Sequence, residues 1–144
     1  MKHKGAIMEY SKERMDDLMR AYDEYISSCD YIRMSEVYKI IVNMPSRRFW
    51  VSDIRAALII SAMMRGKTDL STMCPLKKEM YEEIYNRVFK LQEEYPELTI
   101  SELCAKVIAQ PAPKFYLTPG SAKVMVCKAR KQWIQEKCKR LRLL

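Results

Sequence analysis

The chain has 144 residues, 49% of them hydrophobic and 31% charged, the balance of one folded domain, or of two small ones sharing a core, and not of a disordered segment. Three glycines leave little scope for a Gly-rich phosphate loop or long flexible linkers, and no stretch approaches the roughly 20 apolar residues that span a bilayer. The net charge of +8 is concentrated: residues 119–144 hold Lys123, Lys128, Arg130, Lys131, Lys137, Lys139, Arg140 and Arg142 against Glu136 alone, which leaves the rest of the chain nearly neutral.

The N-terminus, Met1-Lys2-His3-Lys4-Gly5, turns charged within a few residues and lacks the apolar stretch of a secretion signal. Residues 1–8 are therefore expected to be a flexible lead, and the protein to be cytoplasmic. A first helix is predicted over about residues 9–28, where charges outnumber apolar residues and one face should meet water. A second is predicted over about 35–44, capped by Ser35 and ended by Pro45, because the residue before proline avoids helical geometry. The connector Pro45–Ser52 sets Arg47 and Arg48 before Phe49 and Trp50, then Val51 and the hydroxyl of Ser52. A third helix starts after Ser52 and stops at Gly66. Its stretch from Ala56 to Met64 is apolar all round, which reads as a buried helix. Residues 9–66 form helical unit one, and 67–74 a linker.

Unit two, residues 75–144, repeats this plan at an offset of 66. Ser35–Ser61 aligns with Ser101–Cys127 without a gap, with identities at Ser35/Ser101, Glu36/Glu102, Pro45/Pro111, Phe49/Phe115 and Ala56/Ala122. Ten further positions keep their chemistry, among them Val37/Leu103, Ile41/Val107, Arg48/Lys114, Trp50/Tyr116 and Ser52/Thr118. The shared Pro and Phe carry most weight, since helix periodicity does not demand them. Helices are expected over about 76–94, with Pro75 in its first turn, and about 100–110, where Thr99 and Glu102 have capping-box spacing. Thr118-Pro119 opens the last helix, which lacks a stop signal and runs nearly to the end of the chain. The fold class expected is all-α: two tandem three-helix units packed as one compact helical domain, loosely helix-turn-helix-like, although connectors of about eight residues exceed the usual three to four.

The connector pattern, cation then two aromatics then a capping hydroxyl, has two readings. Arg47, Arg48 and Lys114 can pair with phosphate while the helix N-terminus adds donors. Alternatively Phe49, Phe115, Val51 and Leu117 plug the core and a cation covers the aromatic; for these apolar residues the core reading is preferred. In the last helix Lys128, Lys131, Gln135, Lys139 and Arg142 recur every three or four residues on one face. Cys127, Ile134, Cys138 and Leu141 line another, expected to lie against the body of the protein. A basic helix of this kind suits a polyanion.

The five cysteines are odd in number and scattered, reading as reduced thiols, and no CxxC pair offers a zinc site. The lone histidine, His3, argues against histidine-based catalysis, and pairs such as Asp16/Asp17 and Glu82/Glu83 read as solvated charges. No enzyme activity, cofactor, metal or small-molecule substrate is expected.

The stretches PSRRFWVS and QPAPKFYLTPGSAK resemble those of small uncharacterised basic helical proteins of bacterial phages and mobile elements. The resemblance implies a bacterial or phage-infected cytoplasm and no mechanism. The expected function is a non-enzymatic nucleic-acid-binding protein, DNA ahead of RNA, acting as a regulator or accessory factor. Its contacts are expected at Arg47, Arg48, Lys114, Tyr116, Thr118, Ser121, Lys123, Lys128, Arg130, Lys131, Lys139 and Arg142. The alternative is an assembly module whose basic C-terminal helix docks on an acidic protein; a membrane partner is not expected.

Overall fold

The computed structural model describes residues 4–67 and 72–142. Among them the regular structure is helical: α1 (Lys4–Ser28), α2 (Met34–Ile41), α3 (Asp53–Met64), α4 (Pro75–Glu94), α5 (Ile100–Ile108) and α6 (Pro119–Arg142). None of these helices is long and apolar enough to cross a membrane. His3, on which the argument against histidine chemistry rested, lies outside the described residues, as do residues 68–71 of the expected linker.

Local signals set most helix ends. Ser52 Oγ accepts from the Arg55 N–H at 3.1 Å, and Thr99 Oγ1 accepts from the Glu102 N–H at 3.2 Å, each satisfying a donor that the first turn leaves open. Thr118 Oγ1 does the same for the Ser121 N–H at 3.1 Å. α3 ends where Gly66 takes φ +67, and its closing bonds, Gly66 N–H to Met63 O and Lys67 N–H to Ala62 O, form a Schellman motif.

Three boundaries differ from expectation. α1 begins at Lys4, so the segment expected to be flexible enters the helix; residues 4–9 contain no proline to break it. α2 is capped at Arg33, whose extended backbone accepts from the Glu36 and Val37 N–H groups, and Ser35 lies inside the helix. α2 also ends at Ile41, four residues before Pro45, so the proline follows the stop and does not impose it.

The helices group into two compact units, and these are not the two sequence units. One holds α1, α2 and α6; the other, Pro45–Tyr116, holds α3, α4 and α5. The chain thus leaves the first unit at the first connector and returns to it only at Leu117. Helices flanking a connector, α2 with α3 and α5 with α6, belong to different units, so neither pair is the core of a helix-turn-helix.

In the first unit Leu18 and Ala21 of α1, Val37, Tyr38 and Ile41 of α2, and Ala122 and Val126 of α6 are buried, and all three helices pack on one another. Asp17 is fully buried there, held by Arg20 at 2.6 Å. In the second unit Ala56 and Ile60 of α3 pack with Met80, Tyr81, Ile84 and Val88 of α4 and with Leu103, Cys104, Val107 and Ile108 of α5. Burying an aliphatic side chain of this size is worth about 1.5–3 kcal/mol. An isolated antiparallel bridge, Ser46 with Ala112, joins the two connectors.

α3 is not buried all round. Ile54 and Leu58 are 63% and 62% exposed. A helix with two neighbours can cover only one stripe, and here that stripe runs through Ala56 and Ile60.

Candidate nucleic-acid interface

The expected contact residues fall into two groups. Arg47, Arg48, Lys114 and Tyr116 belong to the α3–α5 unit, and Thr118, Ser121, Lys123, Lys128, Arg130, Lys131, Lys139 and Arg142 to the α1/α2/α6 unit.

The connector residues of the first group have structural partners. Arg48 Nε donates to Phe49 O at 3.2 Å and its Nη2 to Val51 O at 3.0 Å, while the guanidinium sits 5.1 Å from the Trp50 ring. Lys114 Nζ is 2.6 Å from Glu79 Oε1 and 5.6 Å from the Tyr116 ring. Tyr116 stacks on Phe49 with centroids 6.1 Å apart. Burial, helped by the carboxylates of Glu83 and Glu79, pushes its phenol up to about 12. Its φ of +56 is left-handed, an uncommon conformation for a bulky residue.

Phe49 itself is fully buried between that ring and Arg87 of α4, whose guanidinium carbon lies 4.9 Å from the Phe49 centroid. Arg87 also bonds Glu83 at 2.8 Å and Pro111 O at 2.9 Å. Within the connectors Arg48 covers Trp50 and Lys114 covers Tyr116, whereas the cation over Phe49 comes from α4, a partner that sequence spacing gave no means to find. Arg47 is exposed.

The second group lies on or next to α6. Thr118 and Ser121 are engaged with each other, the Thr118 hydroxyl donating to Ser121 Oγ at 2.9 Å. Lys123, Lys128, Arg130, Lys131, Lys139 and Arg142 are all exposed. At about 100° per residue, Lys128, Lys131, Lys139 and Arg142 share a sector of roughly 80°, while Lys123 and Arg130 stand to one side of it. Among the described residues, none of the carboxylates forms an ion pair with any of these six cations.

The apolar side of α6 does not lie against the body of the protein. Beyond Val126 every residue to Arg142 is exposed except the half-buried Ala129, and Ile134 and Leu141 are 52% and 60% exposed. The reason is length. α2 has 8 residues, about 12 Å, whereas α1 and α6 have 25 and 24, each about 36 Å. Cys127 lies by the Tyr38 hydroxyl of α2, where burial, with a smaller effect from Cys127, pushes that phenol up. Ile134 and Cys138 continue that same face, and the short α2 cannot cover them.

Between α1 and this part of α6 runs an open groove of about 1480 Å³. Met15, Met19, Tyr22 and Ile26 of α1 and Trp133 and Ile134 of α6 line it, with Asp16 and Asp23 on the α1 side and Arg130, Lys139 and Arg142 on the α6 side. Arg130 Nη1 reaches the Tyr22 hydroxyl at 3.4 Å, and Lys137 Nζ lies 5.0 Å from the Trp133 ring. Trp133 and Lys137 were outside the expected contact set; the signal available was an aromatic set among cations in a polar helix.

No family model, curated protein or solved structure matches the chain.

Proposed function

We propose that the protein is a non-enzymatic nucleic-acid-binding protein, with DNA the first candidate, and that α6 is its contact element. One observation carries the reading: α6 from Lys128 to Arg142 presents seven cations and one acid, Glu136, to solvent. Such a density of unneutralised charge is self-repulsive in the free protein and is relieved by a polyanion. Lys128, Lys131, Lys139 and Arg142 supply phosphate contacts along one face. Lys123, Arg130, Lys137 and Arg140 extend them around the helix. Arg48 and Lys114 hold the connectors, and Arg47 remains a second, separate contact. A regulatory or accessory role in a phage or mobile element is the setting suggested by the connector stretches PSRRFWVS and QPAPKFYLTPGSAK.

We read the chain as a duplication in which each compact unit takes its third helix from the other half of the sequence. Burial supports this at matched positions: Val37 and Leu103, Ile41 and Val107, Phe49 and Phe115, and Ile60 and Val126 are buried in both copies. Leu58 and Val124 are exposed in both. On this reading the copies diverged on the third helix, which is short and ends at Gly66 in one case and is long and basic in the other.

The competing reading is an acidic protein partner, favoured by the exposed Ile134 and Leu141 beside the cations. Titration of labelled DNA, both duplex and single-stranded, over a salt series separates the two. Submicromolar binding that weakens steeply with salt, and is lost on deleting residues 128–144, is the expected result. No binding of either form at low salt rejects the nucleic-acid reading.

A further inference from the structure

We infer that the strand recognised by α6 is single, with an unpaired base stacked on Trp133 over the α1/α6 groove; this rests on the nucleic-acid reading above. The starting point is the stripe Arg130, Trp133, Lys137, Arg140, spaced by three, four and three residues and therefore aligned along one side of the helix. All four are exposed, and Trp133 is 59% so.

The same side carries Ala122, Val126 and Ala129 one to three turns earlier, where α6 packs into its unit. If the groove were to be closed by an apolar protein helix, that inner side should continue apolar. It continues instead as Trp133 among Arg130, Lys137 and Arg140, of which Arg130 and Trp133, with Ile134, line the groove. An alternation of cation and π-surface is what a nucleic-acid strand with accessible bases offers partners for: phosphate for Arg130, Lys137 and Arg140, and a base face for the indole.

A duplex uses only half of this site. Its bases are stacked and paired, so a backbone contact would engage the cations and leave Trp133 against phosphate and sugar. The α1 side of the groove adds direction. Asp16 and Asp23, which outnumber Lys12 on that wall, repel phosphate and so favour the strand's backbone on α6, while Met15 and Met19 give apolar surface toward which bases can turn. From Arg130 to Arg140 is about 15 Å of helix, the length of roughly four stacked nucleotides. A second copy of the chain fits less well, because it would bring the same cationic helix with it.

The test is fluorescence anisotropy on the full chain with a labelled, hairpin-free 12-nucleotide DNA and with its 12-base-pair duplex, at the same salt. The single strand is expected to bind about tenfold or more tightly than the duplex. Trp133→Ala should weaken the single strand by roughly tenfold, leave the duplex within about twofold, and leave the salt slope unchanged. Trp133→Phe should restore most of the loss, as a stacking surface would and a merely structural role would not. The side chain is mostly solvated, so an unchanged thermal midpoint should accompany both variants.

Equal or tighter duplex binding overturns the inference while leaving the nucleic-acid reading in place. So does a Trp133→Ala protein that loses both ligands equally or neither. Failure to bind both DNAs removes the reading beneath it as well.

Discussion

The backbone N–H of Ser46 donates to the carbonyl of Ala112 at 3.0 Å, and the N–H of Ala112 returns the bond to Ser46 O at the same distance. The two residues are 66 positions apart, the offset at which the sequence matches itself. The two bonds form the isolated antiparallel bridge that joins the connectors.

The Ser46 side chain strengthens this junction. It is almost fully buried, and its hydroxyl lies 2.8 Å from Arg48 O and 3.3 Å from Lys114 O. Ser46→Ala removes a shared donor from two part-buried carbonyls, and a loss of about 1 kcal/mol is expected. Urea unfolding should show a lower midpoint at an unchanged slope. An unaltered midpoint would mean that the hydroxyl is dispensable to the junction.

Phe49 is the side chain on which the second unit's connectors close. Phe49→Ala empties a fully buried site and should cost about 3–5 kcal/mol. Arg87→Ala should cost less, about 1–3 kcal/mol, by leaving Pro111 O without its donor and uncovering the ring. Because the two groups touch, the double variant should fall short of the sum of the singles; strict additivity in a double-mutant cycle would refute their coupling.

Tyr116 gives stability a dependence on alkaline pH. Its phenol is raised from 10.0 to about 12 in the folded chain. The unfolded chain therefore releases this proton first, so the stability linked to it is fully present below about pH 10. It is lost as pH rises through about 12. Urea midpoints measured at pH 9 and 11.5 should fall by less in Tyr116→Phe than in the parent protein, and an identical fall in both would exclude Tyr116 as a source.

Cations on α6 and in the connector should separate by what they change. Replacing Lys128 and Lys131 with glutamine is expected to lower the slope of log affinity against log salt by roughly 1.4–1.8, with the folding midpoint unmoved. Lys114→Gln, which breaks the pair with Glu79, should cost stability of up to about 1 kcal/mol and leave the salt slope alone. If Lys114→Gln lowers the salt slope instead, the connector belongs to the interface.

Ser52, Gly66, Thr99 and Thr118 were legible in the sequence because a cap or a helix stop is decided by residues within one turn of each other. Ser35 was misjudged for the converse reason, since α2 starts after Arg33 with no side-chain cap, and an uncapped start leaves no residue signature. The exposure of Leu58 and Ile134 was illegible because burial depends on how many neighbours a helix has, and the period of apolar residues does not record the length of α2. The grouping of α6 with α1 and α2, and of α3 with α4 and α5, was equally hidden. Both pairings bury the same residues, Ala56 with Ile60 and Ala122 with Val126, so composition and periodicity are blind to which one forms. The basic face of α6 could be read directly; that Trp133 stands over a groove could not, because α1 is more than a hundred residues away.

The discontinuous unit has a consequence for how the protein is made. During synthesis Pro45–Tyr116 emerges as an unbroken stretch carrying all three of its helices, and can close while the ribosome is still at work. α1 and α2 leave the ribosome before this stretch yet must wait for Ala122 and Val126, which follow it, so their unit is the later of the two to close. Folding of the middle element draws the two ends nearer and shortens the loop they must close. A truncation that removes Ala122 and Val126 therefore reaches back to α1 and α2, whose core it would leave without a third wall.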